Sequence, residues 1–217
     1  MEFSIRMARE EDAESIVELL NPIIQAGTYT VMDEQLSVDD QINFMRGFPK
    51  RGVFNVAVCN DSQKVLGLQD VQPISTGSNA FRHVGEISTF VSLASRRNGI
   101  GSSLSHATFM GAREQGFLKL TAAIRADNPQ AVLFYQSQGF EVIGTAKKHA
   151  FVRAKYIDEI LMEKLIDHAP SSATAARLLR PVPSHPPAPA YPPARRAWRA
   201  LAAALATSRC GGSHCGR

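Results

Sequence analysis

The 217-residue sequence predicts an α/β domain with a mixed central sheet of about seven strands, followed by a tail of different character. Three observations predict this. Segments that alternate at period two are interleaved with segments of helical periodicity. A glycine-bearing turn joins a long strand to a helix in mid-chain. Composition then breaks after His168, beyond which eight of the twelve prolines lie among Ala, Ser and Arg. The domain is therefore placed at residues 1–168 and a disordered Pro/Ala/Arg-rich tail at residues 169–217. Within the tail, residues 194–207 set Trp198, Leu201 and Leu205 on one side and Arg195, Arg196 and Arg199 on another. A solvated tail and a basic amphipathic helix both fit that pattern.

Phe3, Ile5 and Met7 alternate with polar residues, which predicts a short first strand with one buried face. Asp12 is placed to cap the next helix, in which Ile16, Leu19, Leu20 and Ile23 recur at helical spacing until Gly27 stops it. Ser37 with Asp40 resembles a capping box and predicts a second short helix through Ile42, Phe44 and Met45. Two strands, Val53–Cys59 and Lys64–Val71, are joined around Asn60 and Asp61, which is hairpin chemistry. After the polar loop Ser75–Asn79, Val84–Leu93 reads as a long strand. A helix from about Ile100 to Glu114 follows, with Ile100, Leu104, Ala107 and Gly111 on its inner side and Gly116 at its end. Leu118–Ala126 is a strand. Asn128-Pro129 starts a helix that Gly139 closes, and Phe140–Lys147 and Tyr156–Ile166 are the last two strands. Strands and helices in this order make an α/β sheet of mixed direction.

The net charge of +4 belongs to the tail. From Ala169 onward there are seven Arg and no acidic residue, so residues 1–168 carry a net −3 and no excess charge to attract nucleic acid. Cys59, Cys210 and Cys215 are too few and too oddly numbered for a disulfide framework, which fits a reducing compartment. The first residues soon reach Glu10, Glu11 and Asp12, unlike a secretory signal, and no stretch approaches the ~20 apolar residues of a membrane span. A cytoplasmic protein without membrane contact is expected. His83, His106 and His149 have no partner at metal-ligand spacing, and Cys210, His214 and Cys215 offer too few ligands for zinc. No metal is expected.

The segment Arg96-Arg97-Asn98-Gly99-Ile100-Gly101 carries the clearest chemical signal. A strand ending in a tight turn that opens a helix leaves backbone N–H groups unpaired, and with the helix dipole these form an anion site. Gly99 and Gly101 lack side chains that would hold a diphosphate off the backbone, Arg96 and Arg97 add charge, and Ser102 and Ser103 add hydroxyls. A dinucleotide fingerprint needs a third glycine where Leu104 stands, and a Walker loop needs Gly-Lys-Ser/Thr, which is absent. A glycine turn with surface arginines stays open on these residues alone.

With its neighbours the segment resembles the GNAT superfamily of acyl-CoA-dependent N-acetyltransferases. The resemblance rests on Arg96-x-x-Gly99-x-Gly101 preceded by Thr89-Phe90-Val91-Ser92, on Asn128-Pro129-Gln130-Ala131 followed by Phe134-Tyr135 and Gly139-Phe140, and on the closing strand Tyr156–Glu163. It covers about residues 3–166. Asn21–Ile24 leading to Thr28-Tyr29-Thr30, Glu86, and Gly101–Leu104 look closest to the phosphinothricin-acetyltransferase-like branch. The resemblance implies a GNAT fold with a V-shaped splay between strands four and five. It also implies acetyl-CoA as co-substrate, held by Val91, Ser92, Leu93, Arg96, Arg97, Asn98, Gly99, Ile100, Gly101, Ser102 and Asn128. Leu93 departs from the proline common at its position.

An amine attacks a thioester only as the free base, and an alkylammonium of pKa ~10.4 is about one part in a thousand deprotonated at neutral pH. A base is therefore useful, and Glu86 takes that role by resemblance. Tyr135 stands where the family places the acid that protonates the leaving thiolate; packing with Phe134 and Phe140 is the rival reading. A backbone N–H near Val91 would hold the oxyanion. His149, in the expected loop between the last strands, is a candidate for the border of the acceptor pocket, and Cys59 reads as core. The expected acceptor is a small-molecule primary amine, an amino acid or analogue, entering between Gln25–Thr30 and Ile74–Ala80. Acetylation of a protein N-terminus or lysine, and a non-catalytic acyl-CoA-binding module, are the alternatives. Homodimers are common among relatives of this kind.

Overall fold

Strand pairing determines where a cleft can open. The computed structural model describes residues 2–75 and 77–166. The expected tail, with its 194–207 segment, Cys210, His214 and Cys215, lies outside the described residues. In chain order the elements are β1 (Phe3–Met7), α1 (Ala13–Ala26), α2 (Val38–Arg46), β2 (Val53–Cys59), β3 (Val65–Pro73) and β4 (Val84–Val91), then α3 (Ile100–Glu114), β5 (Lys119–Arg125), α4 (Pro129–Ser137), β6 (Glu141–Val152) and β7 (Lys155–Leu165). They form one seven-stranded mixed sheet in the order β1-β2-β3-β4-β5-β7-β6. Only β4 and β5 run parallel, because α3 carries the chain back over the sheet between them.

The alternation of β2 sorts the core into two layers. Phe54, Val56 and Val58 face α1 and α2, packing with Ile16, Leu20, Ile23, Ile24 and Phe44. Val53, Ala57 and Cys59 face the opposite side, against residues that include Phe109 and Ala112, or Ile100 and Leu104, of α3. Cys59 is thus core, as expected. Among the described residues no helix is long and apolar enough to cross a membrane.

Several local expectations need correction. Asp12 does not cap α1 with its side chain; it makes paired 2.7 and 2.8 Å bonds with Arg6 and accepts the Arg9 amide at 2.8 Å, closing a 3-10 turn ahead of the helix. Met7 points outward, 69% exposed. The buried face of α3 includes Ser105, Thr108 and Ala112 beside the expected Ile100 and Leu104; Gly111 does face the sheet, close against Val53, while Ala107 is only half-buried. The buried hydroxyls fit because the sheet supplies amides: Asn55 donates to Thr108 at 3.1 Å, and Gln69 donates to Ser105 at 3.1 Å. The expected strand at 140–147 runs on to Val152, so His149 lies in β6 and the turn is Arg153-Ala154, both left-handed. The Ser37–Asp40 capping box forms as expected.

The β4–β5 ladder is short. Val84, Gly85 and Glu86 pair with Lys119, Leu120 and Thr121, and pairing then stops although both strands continue. On its other edge β4 stays paired with β3 through Val91. The sheet therefore splits at Glu86, and the far halves of β4 and β5 leave a wedge between them.

Candidate active site

The expected anion site is built as a strand, a turn and a helix. β4 ends at Val91, a 3-10 turn spans Leu93–Ser95, and α3 begins at Ile100. Arg97 and Gly99 both take positive φ, +64° and +77°, so the chain doubles back tightly before the helix. A Cβ at Gly99 would meet nothing within 4 Å; the residue is glycine for its backbone conformation, and the space before it is open. Gly101 is small for another reason than approach by an anion: its Cβ would stand 2.8 Å from the Phe134 ring of α4. The amides of Ile100, Gly101 and Ser102 open the first turn, where a helix has no internal acceptor for them.

This turn borders a cavity of about 470 Å³ that runs along the wedge. Of the expected cofactor residues, Val91, Arg96, Arg97, Gly99, Ile100, Gly101, Ser102 and Asn128 line it. Ser92, Leu93 and Asn98 do not. The Ser92 backbone amide is spent on Leu66 O at 2.9 Å, Leu93 starts the 3-10 turn, and the Asn98 side-chain Nδ2 donates to Ser95 O at 3.2 Å. Since Ser92 faces β3, strand alternation turns the backbone of Val91 toward the wedge. Asn128 caps α4, accepting the Ala131 amide at 3.3 Å. Arg96 lies 4.0 Å over the ring of Tyr29, with a long 3.4 Å bond to Val91 O.

A second cavity of about 130 Å³ lies deeper in the wedge. Glu86, Arg125 and Glu159 line it, and the segment Tyr29–Met32 closes one side. That segment is held in place: Arg125 donates to Thr30 O at 2.9 Å, Asn21 bonds both backbone groups of Leu36, and Arg153 reaches Ile24 O at 2.8 Å. Arg125 is itself paired with Asp127, whose carboxyl the guanidinium holds below its usual range. The Ile74–Ala80 loop, expected at the entrance, does not line either cavity among the described residues. His149 does not line either cavity; its Nε2 stands 3.6 Å from Glu159, which lines the smaller one.

The two cavities share Tyr29, Thr89, Phe90, Asn128, Ala131 and Tyr135. Because the gap passes through the sheet, it brings together groups from opposite faces. Glu86 stands on the α1–α2 face, opposite Gln72, whereas Thr89 and Tyr135 come from the α3–α4 face. Tyr135 is only 6% exposed, its ring set edge-on to Phe140 at 5.1 Å, yet its hydroxyl sits 2.9 Å from that of Thr89. Gln69 donates to Thr89 at 2.8 Å and to Ser105, which fixes the hydroxyl that Tyr135 meets. Burial raises the phenol well above its ordinary value; the Thr89 bond opposes this, while Asp70 and Glu86 add to it. The phenol therefore keeps its proton throughout the neutral range.

Thr89, Arg125, Glu159 and the pair Gln69-Asp70 were not singled out from sequence as site residues. The available signal was polarity in the wrong place, since Gln69 and Asp70 interrupt the apolar run Val65–Val71.

A family model described as an acetyltransferase (GNAT) domain matches residues 5–161. The chain is 24% identical over 164 residues to the L-amino acid N-acyltransferase MnaT of Escherichia coli, covering 76% of this chain and 94% of that protein. Its fold is similar to that of yncA, a putative acetyltransferase from Salmonella typhimurium solved with its cofactor acetyl-CoA, with TM-score 0.70, 21% identity and coverage of 79% and 99%. A phosphinothricin acetyltransferase from Sinorhizobium meliloti, in complex with AcCoA, superposes with TM-score 0.69 at 22% identity, covering 76% of this chain and 89% of that one.

Proposed function

Since the chain belongs to the GNAT acetyltransferase family and is an N-acetyltransferase, we propose that it passes the acetyl group of acetyl-CoA directly to a primary amine of a small molecule, an amino acid or analogue. One observation carries this reading: a long cavity headed by a helix N-terminus and a small one holding a carboxylate meet at Thr89 and Tyr135. The larger cavity suits an extended, anionic co-substrate. The first turn of α3 and Arg97 take its diphosphate, the Val91 backbone pairs with its arm, and Asn128 bonds it farther along. The smaller cavity, near 130 Å³ and walled by Tyr29–Met32, suits an acceptor of amino-acid size better than a polypeptide. The relatives described as an L-amino acid N-acyltransferase and a phosphinothricin acetyltransferase support the same class.

Each residue has a defined task. Glu86, at the apex of the wedge, takes the proton that the attacking nitrogen loses. Thr89 turns its hydroxyl to the Tyr135 oxygen, which leaves the phenol proton free to point at the departing sulfur. That phenol is a weak acid, but burial destabilises a thiolate in the same cavity too, so donation becomes favourable as the carbon–sulfur bond breaks. Neither cavity is lined by Cys, His or Lys among the described residues, consistent with direct attack and no acetylated side chain.

Thiol release from acetyl-CoA across a panel of amino acids, small amines and short peptides tests this reading. Release with amino acids or small amines, and little with peptides, is the expected result. Release with peptides alone would replace the small-molecule acceptor by a polypeptide.

A further inference from the structure

Asp70 on β3 has no task in that mechanism, yet it is the most fully buried acid beside the site. It is 0% exposed. Its Oδ1 accepts from the neutral Gln72 side chain at 3.0 Å, and its Oδ2 has no partner among the described residues. Gln41, on the helix that covers the same face of the sheet, also has both side-chain polar atoms buried and unpartnered. An ionised carboxylate sealed from water without a cation is very costly, and such a group binds a proton instead. The register then gives Asp70 a neighbour. Gln72 lies opposite Glu86 and Asp70 opposite Ser88, so Asp70 and Glu86 are diagonal neighbours on one face. Such pairs stand about 7–8 Å apart, near enough for two charges in a dry layer to act on each other.

We propose that Asp70 holds a proton in the resting enzyme and is a positioning residue that sets the basicity of Glu86 as that proton comes and goes. The proposal rests on Glu86 being the base. Burial, opposed by the Gln72 bond and aided by the charge of Glu86, pushes Asp70 up to about 7, so its titration falls within the working range. The charged or titratable groups around the pair are Tyr135 from α4, which both carboxyls influence, and Arg125 on β5 and Glu159 on β7, which line the cavity with Glu86. On β2 the cross-strand neighbour is the uncharged Phe54. Below neutrality Asp70 is neutral and adds no charge beside Glu86. Above neutrality Asp70 gives its proton to solvent, and the new negative charge strengthens the hold of Glu86 on the proton it takes from the acceptor nitrogen. No other bond changes in this exchange.

Asp70→Asn has the shape of the neutral form and cannot ionise. The folded protein binds this proton more tightly than the unfolded chain does, so wild-type stability falls, relative to the variant, as pH rises from about 4 to about 7. The expected results are a gap in urea midpoint that widens over that range in favour of the variant, and a wild-type-to-variant kcat ratio that rises about threefold from pH ~6 to ~8.5. Parallel stability curves would overturn the proposal, because a merely structural role shifts stability equally at every pH. A widening gap with a flat kcat ratio would overturn the coupling to Glu86. If the variant does not fold, carboxyl-carbon NMR of the wild type takes its place: an aspartate still protonated at pH ~6 is expected, and none would overturn the proposal. Failure of Glu86 itself reads separately, as a Glu86→Gln variant with unchanged kcat.

Discussion

Tyr135 divides its side chain between two roles. The ring is core, edge-on to Phe134 and Phe140, while the oxygen reaches the meeting point of two cavities beside Thr89. The packing and acid readings of this residue are therefore compatible, and a substitution that keeps the ring separates them. Tyr135→Phe retains the edge-on contacts and loses the hydroxyl, with its proton and its bond to Thr89. Its kcat is expected to fall by about 10²–10⁴, the range for a positioned acid, with acetyl-CoA affinity changed less than threefold. Steady-state kinetics beside calorimetric titration measure both. An unchanged kcat would return Tyr135 to the core alone. Glu86 was legible at this scale because the family pattern places a carboxylate in that strand. Asp70 was not, since its meaning depends on burial and on a cross-strand partner, and a single segment of sequence contains neither.

At the scale of elements, the site depends on a strand that loses one of its two neighbours and a helix that starts beyond its end. The β4–β5 ladder holds through Glu86 and Thr121 only, which creates the wedge, and the first turn of α3 points its free amides at the wedge's mouth. Ser102 sits in that turn, is exposed, and lines the large cavity. A carboxylate there has two opposite effects. It complements the positive end of the helix, which adds about 0.3–1 kcal/mol to stability, and it repels a bound diphosphate. Ser102→Glu is thus expected to raise the melting temperature of the free protein slightly and to abolish the further rise that acetyl-CoA brings. Retained stabilisation by acetyl-CoA would remove the diphosphate from α3. Element order was readable from periodicity and caps, as at Ser37–Asp40 and Asn128-Pro129. The inner face of α3 was readable at Ile100 and Leu104 but not at Ser105 and Thr108, which are buried on amides of Gln69 and Asn55 that belong to strands far away in sequence. The end of β6 was missed for a related reason: Lys148 and His149 look like a loop, but meet Asp158 and Glu159 of β7.

At the largest scale, the described residues form two packed layers on a split sheet, and the split puts the α1–α2 face in touch with the α3–α4 face. Tyr29 shows how closely the two halves are tied, since it follows α1, lines both cavities and carries Arg96 of the anion turn on its ring. Direct transfer, as proposed, puts both substrates in the site at once, with the acceptor nitrogen and the thioester side by side at Thr89. The most direct test is a single turnover: protein loaded with an equal amount of acetyl-CoA is mixed with an accepted amine, and thiol and acetylated amine are measured together over time. No thiol should appear before the amine is added, after which thiol and acetylated amine should rise in step, one for one. A burst of thiol without amine, with an acetyl group left on the protein, would contradict the account.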